Sequence, residues 1–443
     1  MKLWQKDKTA LKEVDRFTVG KDREMDLYLA AFDVQGSLAH CRMLEKVKLL
    51  TSQESTELQY ELKNIYRLIV DGEFKLEENV EDIHSQVELL LTAKLGDTGK
   101  KIHAARSRND QVLVDLKLFL RHELEELVNK TSTVFELLQT QSEKYKQHLL
   151  PGYTHLQLAM PSSFGLWFGA YAESLIDDLV TIKAAYDIVN RNPLGSAAGY
   201  GSSFPIDRKM TTELLGFEGL NYNVVYAQMG RGKSERIVAQ ALANLAETLA
   251  KFSMDATLFL NQNFGFISFP EELTTGSSIM PHKKNPDVFE LIRAHCNKIK
   301  ALPNEISMMT TNLPSGYHRD LQLLKENLFP AFKTLGDCLE MMGLMLVNIS
   351  VKENILEDEK YKFLFSVEEV NKLVNAGMPF RDAYKKIGKD IEEGKFAYNT
   401  AIQHTHEGSI GNLCTADIKQ QWERIYHSFP FEKVSKAIDS LIS

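Results

Sequence analysis

Between Gly276 and Asp287 the chain reads Gly-Ser-Ser-Ile-Met-Pro-His-Lys-Lys-Asn-Pro-Asp. Two adjacent hydroxyls, Ser277 and Ser278, follow a glycine, and two adjacent ammonium groups, Lys283 and Lys284, follow a proline. Neighbouring lysines repel one another, and an anionic ligand offsets that repulsion. Glycine permits an unusual or mobile backbone at the start of the segment. Asn285-Pro286-Asp287 predicts a helix start, with proline at the first helical position and an acid in the first turn. A polar loop emptying into a helix N-terminus is suited to holding a carboxylate and removing a proton beside it. The structural alternative is a solvated loop with ordinary capping.

Four further strings carry polar groups at useful spacing. Arg106-Ser107-Arg108-Asn109-Asp110-Gln111 precedes a long run without glycine or proline. Its arginines are fork donors for carboxylates, but Asn109 or Asp110 would also serve as a simple helix cap. Pro151-Gly152 predicts a turn that presents Thr154 and His155. The imidazole pKa suits proton transfer, although a lone histidine is more often structural. Tyr317, Gln322 and Lys325 offer a hydroxyl, an amide and a cation. In a helix, positions 322 and 325 share a face, and the bland reading of Lys325 is a surface salt bridge. Glu81 to Glu88 contains His84 in a stretch that also reads as a surface helix with i,i+4 pairs.

These strings resemble the conserved regions of the fumarase/aspartase superfamily of lyases, whose signature is GSSxMPxKxNP. The paired Lys283-Lys284, the Arg-Ser-Arg-Asn-Asp-Gln string and Tyr-x-x-Asp-Leu-Gln-x-x-Lys at 317–325 are similar to the argininosuccinate lyase branch. Asp33-Val34-Gln35-Gly36-Ser37 matches another string of that branch. The resemblance implies β-elimination of argininosuccinate to arginine and fumarate, without metal or organic cofactor. It implies Ser277 as base, His155 as acid oriented by Glu290, and Lys283 and Asn285 as stabilisers of an aci-carboxylate. It also implies substrate contacts from Asn109, Ser107, Arg106, Thr154, His84, Tyr317, Gln322 and Lys325, the last as a cation for a substrate carboxylate.

The sequence departs from the branch in places. His282 stands where glutamine is usual, Ala104-Ala105 where Thr-Gly is usual, Met160 for glutamine and Ile237 for an acid. Asp22 falls where the branch has a substrate-contacting serine, and the branch's opening survives only as Lys2-Leu3-Trp4. A sister enzyme such as adenylosuccinate lyase, or a non-catalytic homologue of the δ-crystallin kind, is the alternative.

Such groups need rigid elements to hold them. No glycine or proline interrupts Lys100 to Leu150 or Lys233 to Phe264, which predicts unusually long helices. Val238, Leu242, Leu245, Leu249, Phe252, Ala256 and Phe259 alternate steps of four and three, a heptad-like seam. Flanking alanines widen it, so this helix is buried on several sides. A third helix is predicted from Leu166 to Asn190, and amphipathic surface helices from Val367 to Ala376 and Phe380 to Ile391. No useful strand alternation is found. The expectation is all-α, with a small helical domain over 1–106, a long-helix bundle over 107–355 and a second small helical domain over 356–443. In the resembled family, four such bundles form a homotetramer with a twenty-helix core.

Composition bounds the remainder. At 443 residues the chain exceeds one simple core. A net charge of −8 disfavours a general nucleic-acid binder, so any anion site must be local. Cys41, Cys296, Cys338 and Cys414 show no zinc spacing, which fits a reduced, cytoplasmic setting. No signal core or membrane-spanning run is expected.

Overall fold

The computed structural model describes residues 12–77, 80–402 and 404–443; the Lys2-Leu3-Trp4 string lies outside them. Helices α1 (Ala30–Lys46), α2 (Ser52–Val70) and α3 (Ile83–Leu95) form an N-terminal group. The bundle contains α4 (Arg108–Lys144), α5 (Phe164–Val189), α6 (Lys233–Leu260), α7 (Asp287–Ile299) and α8 (Leu324–Asn348). Beyond it lie α9 (Ser366–Asn375), α10 (Phe380–Glu392) and α11 (Phe431–Ile442). The all-α expectation holds, and the predicted long helices fall where the uninterrupted runs are. Among the described residues no helix is long and apolar enough to cross a membrane.

The seam on α6 is the bundle's inner surface. Val238, Leu242, Leu245, Leu249, Phe252 and Ala256 are each at most 3% exposed, and Ala239, Ala241 and Ala246 are buried beside them. The small alanines let neighbouring helices approach α6 closely. Trp167 of α5 stacks on Phe252 with ring centroids 4.9 Å apart. The direction of the helices follows from their contacts. At one end Gln141 of α4 donates to the Leu346 carbonyl at 2.7 Å and Tyr145 to that of Ile349 at 3.3 Å. Both α4 and α8 therefore finish at that end and begin at the other. Helix α7 runs against α6: Phe289 lies 6.3 Å from Phe252, and Lys300 lies 3.6 Å from Glu247.

The N-terminus of α4 is fixed by a capping box. The Asn109 amide donates to Ser107 Oγ at 3.3 Å, and the Ser107 amide donates to Asp110 Oδ1 at 2.9 Å. Ser107 is thus the cap. Asp110, fully buried, uses its other oxygen to accept from the Gly195 and Ala197 amides, each at 2.9 Å. This ties the start of α4 to the small-residue loop after α5.

Two local expectations are corrected. The first concerns the absence of strands. Strands β1 (Leu149–Thr154) and β2 (Gln157–Ser163) form an antiparallel hairpin beyond α4. Further along the chain, β3 (Ile267–Ser268) pairs with β4 (Ser350–Val351). The second concerns the turn, which is made by His155 and Leu156, at φ 55° and 57°, and not by Pro151-Gly152. Gly152 instead sits at a register shift, where a Cβ would approach the Met160 carbonyl to 2.7 Å. Pro286 likewise precedes α7 as its N-cap instead of opening it, a one-residue difference in boundary. The C-terminal helix α11 returns to the N-terminal group, where Leu441 is fully buried and Arg42 reaches the Ser440 and Leu441 carbonyls.

Ala105, in the usual glycine position of the branch, retains a left-handed backbone at φ 60°. A Cβ there is strained by about 1 kcal/mol relative to glycine. Ala105→Gly should therefore raise unfolding stability by about 0.5–1 kcal/mol, read from denaturant midpoints at unchanged slope.

Candidate active site

His84, Asn109, Tyr317, Gln322 and Lys325 line a single cavity of about 90 Å³, together with Asp22, Asp26, Asp82, Arg108 and Arg231. It sits where α4 and α8 begin. Sequence distances of more than 200 residues are bridged because two parallel helices start side by side.

Lys325 is buried and pairs with two carboxylates, Asp26 at 2.5 Å and Asp22 at closer range. Burial opposes its charge, but Asp26 and then Asp22 outweigh it and hold the ammonium above its usual pKa. Burial, with the Asp26 charge, pushes the Asp22 carboxyl up to about 6 despite Lys325. The surface setting weighed for Lys325 is therefore replaced by a buried cluster. Gln322 is similarly engaged, donating to the Thr18 and Val19 carbonyls at 3.1 Å each. It lies in a 3-10 turn, Arg319–Gln322, so it does not share a helix with Lys325.

His84 is buried, not on a surface helix face. Its Nδ1 is 2.9 Å from Asp33 Oδ1 and 3.5 Å from Asp115 Oδ2. Burial would lower its pKa, yet the two carboxylates raise it to about 9, so the ring is a cation at neutral pH. Burial and the Asp33 charge push Asp115 well above the carboxylate range. With Nδ1 committed to this pair, Nε2 has no hydrogen-bond partner among the described residues and is the atom left for a ligand. Arg106 donates to Ser37 Oγ at 2.9 Å and does not line the cavity. Asp26 and Arg231 lie outside the sequence motifs singled out above. The i,i+4 spacing of Asp22 and Asp26 on one short helix was the available signal for the first.

Thr154 and His155 are elsewhere. They occupy the exposed hairpin tip, with His155 in the left-handed region, a strained setting for a histidine. The signature loop is a third location. Its base is pinched by Asn285, whose amide donates to the Thr275 carbonyl at 2.8 Å. Asn285 Nδ2 also reaches the Gly276 carbonyl at 3.3 Å. Ser277 Oγ accepts from the Ile279 and Met280 amides at 3.4 and 3.2 Å, so two backbone donors already face that oxygen. Lys283 and Glu290 are exposed, as is His282. Lys284 pairs with Glu271 at 3.1 Å. Among the described residues no hydrogen bond joins Glu290 to His155.

The separation follows from helix geometry. Helix α4 has 37 residues, about 55 Å at 1.5 Å per residue. The cavity is at its first turn and the hairpin beyond its last. The signature loop adjoins the C-terminal half of α6, where Phe289 meets Phe252, whereas Arg231 and Glu235 at the start of α6 adjoin the cavity. That is about 25 Å along α6. One chain brings five of the predicted site residues together, holds Arg106 and Ser107 in the turn beside them, and leaves the other six on two distant surfaces.

The chain is 63% identical over 441 residues to the argininosuccinate lyase of Parabacteroides distasonis, an alignment covering 100% of this chain and 99% of that one. The chain belongs to the argininosuccinate lyase family. The argininosuccinate lyase of Bacteroides fragilis (strain ATCC 25285) is 61% identical with the same coverage. The lyase family profile matches residues 14–300, which include the cavity's N-terminal wall, the hairpin and the signature loop. A solved EDDS lyase shares the fold at 20% identity, with a TM-score of 0.75 over 98% of this chain and 95% of that one. Asp22, which the sequence resemblance places where a serine is usual, is a partner of Lys325 in the structure.

Two substitutions test the cluster. Lys325→Met leaves Asp22 and Asp26 buried without their cation, so stability should fall by about 3–5 kcal/mol. That loss is well above the roughly 1 kcal/mol of the surface salt bridge weighed for Lys325. Asp22 has a raised pKa, so its contribution is complete below its unfolded value of 3.8 and is lost as pH rises through about 6. Asp22→Asn should stabilise the protein by on the order of 2 kcal/mol at pH 8 and by well under 1 kcal/mol at pH 4. Denaturant melts at the two pH values check both the sign and the trend.

Proposed function

We propose that this chain catalyses the reversible β-elimination of argininosuccinate to arginine and fumarate. The full-length 63% identity to an argininosuccinate lyase carries the reading. The arrangement of charge supports it. The cavity at the start of α4 presents carboxylates beside an imidazolium and an ammonium, which suits the paired amino and carboxylate groups of an amino-acid end. The signature loop presents a hydroxyl, an ammonium and an amide, which suits the succinyl end.

The proton to be removed sits on a carbon beside an ionised carboxylate and is very weakly acidic. Ser277 takes it. The two backbone amides on its oxygen favour the charged form it must adopt. Removal leaves a dianionic aci-carboxylate, and Lys283 and Asn285 stabilise the added charge. The bond from the adjacent carbon to the guanidino nitrogen then breaks, and its electron pair leaves with the nitrogen. His155 protonates that nitrogen, and Glu290 orients the imidazole. Arginine and fumarate result, and the roles of acid and base reverse in the other direction. No cofactor is required by this sequence of steps.

The proposal includes a homotetramer in the cytoplasm. The three groups of residues lie too far apart on one chain to meet one substrate. That cavity at the start of α4, at about 90 Å³, is also well below the roughly 300 Å³ of small-molecule sites. Apposition of the two ends of different bundles closes both gaps.

Purified protein should release fumarate from argininosuccinate, followed by absorbance, and none from adenylosuccinate. Ser277→Ala should lower turnover by roughly two to four decades while leaving the oligomer intact. Fumarate from adenylosuccinate alone would replace the substrate assignment. Turnover within about threefold of wild type in the Ser277 variant would remove this residue from the chemistry.

A further inference from the structure

A second cavity, of about 410 Å³, lies between α4, the end of α5 and the start of α6, one to three turns along α4 from the candidate active site. Its walls include Leu116, Leu120 and Leu220, and Lys117 and Arg191 border it. Lys117 is 6% exposed, and among the described residues its one hydrogen bond is to the Ile188 carbonyl at 3.3 Å. A buried ammonium is stable only when paired. The nearest acid, Glu235, is spent elsewhere: one oxygen accepts from Arg231 Nε and the other from the Gly232 amide, each at 2.7 Å. Arg191 is exposed at the border and has no carboxylate partner among the described residues. Four charged groups thus border the cavity, three positive and one negative, in a chain whose net charge is −8.

We infer that this cavity is a binding site for a small monocarboxylate with an apolar chain. The carboxylate would pair with Lys117 and Arg191, and the chain would lie against the leucines. The site supplies the charge that Lys117 lacks and buries apolar surface at about 25 cal/mol per Å². Burial without a paired acid pushes the Lys117 pKa down to about 8, and an anion at this position raises it again.

Arg231 borders both cavities, so the test must separate them. Equilibrium dialysis of labelled hexanoate against the intact wild-type protein at fixed ionic strength provides it. Saturable binding at one hexanoate per chain, undisplaced by excess fumarate and argininosuccinate, is expected. Affinity should fall at least tenfold in Lys117→Met and in Arg191→Gln. The second variant changes an exposed residue, so it reports even if loss of Lys117 impairs folding. No saturable binding, displacement by either active-site ligand, or unchanged affinity in Arg191→Gln would overturn the assignment.

Discussion

The rise of an α-helix fixes what this chain can do alone. Helix α4 is a rod of 37 residues, α5 and α8 lie alongside it, and α6 seals its apolar seam against α5 and α8. A close-packed bundle does not bend to bring its ends together. The groups at the start of α4 are therefore held apart from those beyond its end, whatever the loops do. Each end can be built accurately because it rests on rigid helices. The same rigidity leaves His155, Lys283 and Glu290 on exposed surfaces of a single chain.

Electrostatics at the near end follow from burial. Two cations sit where water scarcely reaches: Lys325 between the Asp22 and Asp26 carboxylates, and protonated His84 between the Asp33 carboxylate and Asp115, whose carboxyl burial holds well above the usual range. Neither would stay charged there alone. The outcome is a cavity with fixed charges of both signs and little freedom to rearrange. Asp22 adds one acid more than the cluster neutralises, and its raised pKa is the cost. The far end follows a different rule. Ser277 and Asn285 are positioned by backbone contacts within the loop, and the exposed Lys283 side chain has no hydrogen bond or ion pair among the described residues.

Much of this was legible in the sequence. Long runs without glycine or proline and the 238–259 seam specify the bundle, because nothing else buries so continuous an apolar surface. The polar strings at 106–111, 277–285 and 317–325 mark segments with chemistry on them. Other features were not legible. The hairpin escaped notice because Leu149 to Ser163 does not alternate and Pro-Gly is the commoner turn signal. His155 and Leu156 make the turn by adopting a conformation that their side chains disfavour. Lys325 read as a surface cation because its partners lie some 300 residues away, and only the parallel start of α8 beside Asp22 and Asp26 brings them together. The joining of His84 to Asp33 and Asp115 was hidden because the two acids lie on other helices, α1 and α4, whose packing against α3 no local spacing announces.

The central claim is that one site takes His155 and Ser277 from different chains. Hybrid tetramers test it most directly. His155→Asn and Ser277→Ala chains, each inactive alone, are unfolded together, refolded at equal ratio and assayed for fumarate release. Random mixing leaves both residues intact in about a quarter of the sites if separate chains supply them, so the account predicts recovery to about a quarter of wild-type activity. Activity no higher than that of the parent variants, in a preparation shown to contain mixed tetramers, would contradict it.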